Sequence, residues 1–222
     1  MDILPLQADS VSQVQYRTDK EEFWNFATHS VGFVLALVGF YFLVPAMQGK
    51  SFFVRLVTWV YGTNLVALYA ASALSHYYHQ SKLRALYRRL DQGLIYTFII
   101  AGFTPYFAVH MTETWAWIGV AILWLGAIAG FCSKLVFSHR VEGISTWSYL
   151  ALAWLPVIGM LFAESVPWSA LGFIAAGGLA YMTGIFFLLQ DHKHWYFHCL
   201  WHLFVIGGTA VHYWGIQFSL AS

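Results

Sequence analysis

The chain has 222 residues, 59% hydrophobic and only 9% charged, against roughly 25% charged in a soluble domain, so a water-soluble globule is excluded. A formal net charge of +1 gives no reason to expect nucleic acid as a partner. The two cysteines, Cys132 and Cys199, both fall inside apolar runs and read as buried free thiols, not as a disulfide framework.

Residues 1–25 form a short polar tail without the basic start and apolar core of a signal peptide. Seven apolar segments follow, at about 26–47, 54–77, 91–111, 115–137, 144–163, 168–190 and 196–218. Each is long enough to cross ~30 Å of hydrocarbon at ~1.5 Å per helical residue. Backbone groups in lipid must be paired within the protein, and segments of this length achieve that as helices. The loops are too short to hold a soluble domain. The expectation is an all-α polytopic membrane protein, one domain over 26–218 with seven transmembrane helices.

Lysine and arginine set the orientation. Arg17, Lys20, Lys82, Arg84, Arg88, Arg89, Lys134, Arg140 and Lys193 fall on one side, and only Lys50 and Arg55 on the other. The positive-inside rule then puts the N-terminus in the cytoplasm and the C-terminus outside. Pro105, after Thr104, and Pro156 lie mid-segment and are expected to kink their helices. Gly126 and Gly130, with Gly177, Gly178 and Gly184, read as close helix packing. Trp115, Trp117, Trp168, Trp195 and Tyr196 suit an interfacial belt.

The chemistry lies in the histidines. His110, His139, His192 and His194 sit in loops or at rims and read as solvated. His212, in the outer half of the last segment, takes no metal role, and His29 lies near the inner end of the first. His198 and His202 are four residues apart, on one helical face, a spacing that lets both imidazoles hold one metal. His76 ends the second segment and Asp91 opens the third, at the same side and similar depth. Ser72 lies one turn deeper on the face of His76. Three histidines with an open fourth position form a catalytic zinc arrangement. His79, three residues after His76, stays open as a ligand in its place. A bis-histidine haem site is a further possibility.

Four blocks carry a family resemblance. They are Glu22-Phe-Trp-Asn25 followed by Thr28-His29, Ser72-Ala-Leu-Ser-His76, Leu90-Asp91 leading through Ala101-Gly102 to Thr104-Pro105, and His198-Cys-Leu-Trp-His202 ahead of His212-Tyr-Trp-Gly215. In this order, over nearly the whole chain, they resemble the haemolysin-III family, the bacterial branch of the progestin and adipoQ receptor family. Ser75 stands where a tyrosine is common in bacterial members. The resemblance implies a seven-helix fold in a bacterial inner membrane, with zinc held by His76, His198 and His202. It also implies that Asp91 holds the water at the metal and that Ser72 lies beside the site. The family is similar to alkaline ceramidases, zinc amidases that act on lipids.

The function expected from these residues is zinc-dependent hydrolysis of a lipid amide or ester in membrane-lipid homeostasis. Asp91 would take a proton from water, and Ser72 would hydrogen-bond the substrate or its developing oxyanion. The partner is a membrane lipid, a fatty-acyl amide or ester or a free fatty acid. Lys82, Arg84, Arg88 and Arg89 would hold anionic headgroups, at about 1 kcal/mol each. The alternatives are a non-enzymatic lipid sensor with structural zinc and, less favoured, a pore-forming cytolysin. A pore predicts a continuous polar stripe, whereas the outer halves of these segments are strongly apolar.

Overall fold

The computed structural model describes residues 17–111, 114–136, 142–161 and 165–221, without the side chains of 115, 116 and 142–145. His139 and Arg140, the side chain of Trp115 and most of the polar tail lie outside the described residues. All regular structure among the described residues is helical: α1 Asp19–Ala46, α2 Phe52–Tyr77, α3 Leu83–His110, α4 Thr114–Val136, α5 Glu142–Leu161, α6 Trp168–Leu188 and α7 Phe197–Ala221. Five stretches are long and apolar enough to cross a membrane: α1, α2, α3, Trp117–Val136 of α4, and α6. The apolar described part of α5, Thr146–Leu161, is shorter. The 25 residues of α7 include three histidines and are not among the five.

Two helices begin well before their apolar runs. Thr18 caps α1 by accepting from the Glu21 N–H, and the Glu21 side chain accepts from the Thr18 N–H, a reciprocal capping box. Asp19, Glu21 and Glu22 in the first turn suit the helix dipole. Residues 19–25 therefore belong to α1 and not to the tail. α3 begins at Leu83, so Arg84, Arg88 and Arg89 lie on helix and not in a loop.

α3 is the central helix, packed against α2, α4, α5 and α7, while α1 packs on α2 and α7, and α6 on α7. α5 and α6 touch little. Tyr61, Tyr69, Tyr106, Ile100 and Ile216 are fully enclosed. Outward faces are apolar, as on α1 at Val31, Val34, Leu35, Val38 and Phe42, the distribution expected for a lipid solvent. Pro105 lies inside α3, where the Thr104 hydroxyl donates to the Ile100 carbonyl at 2.7 Å and accepts from the Trp124 indole at 3.1 Å.

Glycines admit the closest approaches. A Cβ on Gly208 would lie 3.0 Å from the Gly177 carbonyl, and one on Gly177 would lie 3.1 Å from the Gly208 carbonyl and strike the His212 ring. Gly130 takes the Tyr96 ring in the same way, whereas Gly178 faces open space. We expect Gly177→Val to force α6 from α7 and to lower the Tm of the detergent-solubilised protein by several degrees, about 1–3 kcal/mol of overpacking. An unchanged Tm would show that α6 is free to move. Both cysteines are free, but Cys132 is exposed and Cys199 half-buried. The expectation of burial fails for Cys132 because a lipid-facing surface is as apolar in composition as a core.

Candidate metal centre

Three histidines meet at the end of the bundle where α1, α3 and α7 begin and α2 ends. His76 comes from the last turn of α2, and His198 and His202 share one face of α7. One nitrogen from each lies within 4.8 Å of the other two. Ring centroids are 5.4 Å apart for His76–His198, 5.1 Å for His76–His202 and 4.7 Å for His198–His202. His76 and His202 are buried and His198 is half-buried. Around tetrahedral zinc, with Zn–N of ~2.0–2.1 Å, ligand nitrogens stand ~3.3 Å apart, so modest side-chain rotations complete the set.

Whether three imidazoles can ligate together depends on where their protons go. A neutral imidazole has one lone-pair nitrogen, and the other carries hydrogen. Here every Nδ1 has a partner pointing away from the triad. His76 Nδ1 lies 2.6 Å from Glu22 Oε2. His202 Nδ1 lies 3.0 Å from Thr28 Oγ1, and the Thr28 proton is directed to the Trp24 and Asn25 carbonyls. The threonine oxygen therefore accepts from His202. His198 Nδ1 lies 3.2 Å from Asp191 Oδ2. With the Nδ1–H of His76 and His202 donated outward, their Nε2 lone pairs are left for a cation, while His198 Nδ1 stands between the Asp191 carboxylate, which can only accept, and Arg17 Nη2, which can only donate. The residues fit a zinc ion by number and type.

The outer partners are themselves charge-paired. Glu22 is 1% exposed and binds Arg84 Nη2 through its second oxygen at 2.7 Å. Arg84 also donates to the His79 carbonyl, so it faces inward and leaves the group expected to hold headgroups. The early start of α3 causes this. Arg17 Nη2 lies 2.5 Å from Asp191 Oδ2 and 2.9 Å from His198 Nδ1. Burial draws the Asp191 carboxyl upward, but the His198 hydrogen bond and the Arg17 charge outweigh it and hold it below the ordinary carboxylate value. Asp191 therefore stays ionised and can accept from His198.

Asp91 stands outside the three-nitrogen group. It is half-buried, hydrogen-bonded to the Ser72 hydroxyl, and within reach of the Arg88 and Arg17 charges. Ser72 is 1% exposed and one turn from His76, so this pair borders the triad. His79 is not part of the triad. Its Nε2 is 3.1 Å from Asp19 and its Nδ1 is 2.9 Å from the His76 carbonyl, and it is His76 that groups with His198 and His202. His110 is half-buried against Ser219, and His212 is buried between Tyr181 and Phe103.

The sequence reading did not give roles to Glu22, Thr28, Asp191 or Arg17. The available signal was Glu22, Asn25 and His29 on one face of an apolar helix. We expect Glu22→Gln to keep the fold and to weaken zinc affinity by about 10–100-fold in chelator competition. Unchanged affinity would mean that Glu22 serves Arg84 alone.

A family model described as haemolysin-III related matches residues 17–213. The chain is similar to Hemolysin-3 of Bacillus cereus, 32% identical over 202 residues that cover 90% of this chain and 91% of the relative. It is similar to the Hemolysin-3 homolog of Bacillus subtilis strain 168, 29% identical over 205 residues that cover 90% and 95%. The human Monocyte to macrophage differentiation factor is 28% identical over 189 residues, 79% of each chain.

Proposed function

The chain belongs to the haemolysin-III family, and from that premise we propose that this integral membrane protein is a zinc-dependent hydrolase of a lipid amide or ester. The observation that carries the reading is the triad of His76, His198 and His202 with every Nδ1 engaged from outside. A structural zinc site is closed by four protein ligands, whereas a catalytic one keeps a position open. Among the described residues the metal-ligand group has three members, and Asp91 is not one of them.

Zinc held by these histidines would supply Lewis acidity and make water acidic near neutral pH. The chain's own residues do the rest. Asp91, held by Ser72, orients a water and takes its proton as the oxygen adds to the acyl carbon. The bond to nitrogen or oxygen then breaks, its electron pair stays on the leaving atom, and Asp91 returns the proton there. The products are a fatty acid and an amine or alcohol. The test is reconstituted protein with mixed lipids, reading released fatty acid by mass spectrometry before and after zinc removal. Release that is equal in the two arms ends the hydrolase reading.

The same proposal has seven crossings with the N-terminus and the site at the cytoplasmic face of a bacterial inner membrane. Arg17, Lys20, Lys82, Arg84, Arg88, Arg89 and Lys193 cluster at the site's end of the bundle, and Lys50, between α1 and α2, and Arg55, in the first turn of α2, lie at the other. A reporter after Ser222 should be extracytoplasmic, and one between α2 and α3 cytoplasmic. A cytoplasmic C-terminal reporter overturns this topology.

A further inference from the structure

α1 turns one polar face inward at Glu22, Asn25 and His29, which are 1%, 0% and 4% exposed. Their spacing of three and four residues aligns them along the helix. Glu22 holds His76. The His29 ring stacks on His202, with centroids 3.5 Å apart and planes 22° apart, and meets Tyr69 edge-on. Asn25 stands between these two contacts with the triad. Yet among the described residues neither ring nitrogen of His29, and neither the Oδ1 nor the Nδ2 of Asn25, has a hydrogen-bond partner. Buried polar groups are almost always paired, because an unpaired one keeps its full desolvation cost.

Two side chains with four unpaired atoms lie on the α1 face whose Glu22 and His29 meet the triad. Asn25 offers an NH2 and a carbonyl, and His29 offers one N–H and one lone pair. Neither brings a positive charge to match a phosphate. Two N–H donors suit a carbonyl oxygen. Ser72, which the sequence suggests for that oxygen, is hydrogen-bonded to Asp91.

Resting on the zinc-hydrolase reading, we propose that Asn25 and His29 form the acyl-carbonyl subsite of this centre. An N–H from each donates to the carbonyl oxygen of the bound lipid. As water adds to the acyl carbon, the C=O pair moves onto that oxygen between the two donors. The pair returns when the bond to the leaving nitrogen or oxygen breaks, while the water's proton passes by way of Asp91 to the leaving atom. Both donors are buried beforehand, so no solvent has to be displaced from them during reaction.

The experiment compares wild type, Asn25→Leu and His29→Phe, each zinc-loaded in detergent, by titration calorimetry with two probes. Dodecanoyl hydroxamic acid has a metal-binding head with a carbonyl, and dodecanethiol has a metal-binding head without one. Both substitutions replace unpaired polar atoms with apolar ones of similar shape, so zinc content should hold and Tm should equal or exceed that of wild type. Hydroxamate affinity should fall about tenfold in each variant, the worth of one hydrogen bond, and thiol affinity should not change. Equal hydroxamate affinity in wild type and both variants overturns the subsite while the metal centre stands. Equal weakening of both probes, or zinc loss in both variants, makes these residues supports of the triad and also overturns it. A wild type that takes up no zinc overturns the metal reading itself, and the subsite with it.

Discussion

Purified His202→Ala should lose stoichiometric zinc. A zinc site of this kind draws about 10–16 kcal/mol from its ligand set, so removing one of three protein ligands should weaken binding by roughly 10²–10³-fold. His202 is the strongest test of the three because it is 1% exposed and its Nδ1 is held by Thr28, whose proton is directed to the Trp24 and Asn25 carbonyls. Elemental analysis of wild type, His76→Ala, His198→Ala and His202→Ala should show the same deficit in each variant. His79→Ala should keep its metal, since that ring faces Asp19 and the His76 carbonyl. Full zinc retention in the double variant His198→Ala/His202→Ala would end the metal centre.

Asp91→Ala should separate metal binding from turnover. The carboxylate is bonded to Ser72 and is not one of the three grouped ligands, so zinc content should survive its removal. Fatty-acid release should fall by about 10²–10⁴-fold, the usual worth of a positioned general base. Asp91→Asn keeps the shape and the bond to Ser72, and should be as inactive. Ser72→Ala should cost less, because it leaves the carboxylate in place but less well oriented. A lipid sensor with structural zinc predicts instead that Asp91→Ala changes nothing in released fatty acid, because wild type releases none.

The helical bundle was legible because long apolar runs leave the backbone one solution in lipid. The triad was legible because HxxxH fixes two ligands to one helical face before any tertiary structure is known, and SxxxH supplies the third. Helix boundaries were less legible. Hydropathy reports where a segment enters lipid, whereas the Thr18 cap and the start of α3 at Leu83 carry helix beyond that point. Arg84 was expected at headgroups because its sequence neighbours are basic, yet its partner, Glu22, lies 62 residues away. No local pattern reports such a pairing. The apolar segments conceal a buried group, Tyr69–Thr209–Tyr181, that composition cannot separate from lipid-facing aromatics.

The wiring of His198 and His202 has a consequence for biogenesis. Their Nδ1 atoms face Arg17 and Thr28, across 181 and 174 residues of chain. The candidate ligands thus come from the second and last helices, and the groups that orient them from the start of the chain and the α6–α7 connection. A nascent chain that ends before Phe197 holds one candidate ligand, His76, although Arg17, Glu22, Thr28 and Asp191 are already made. On the zinc reading proposed above, the ion would be captured only after the last helix docks on the first, so metal occupancy would mark completed insertion. A chain truncated before Phe197 should stay metal-free however many of its helices reach the bilayer. Zinc limitation during synthesis would then leave the junction of α1 and α7 as the seam that quality-control proteases find open.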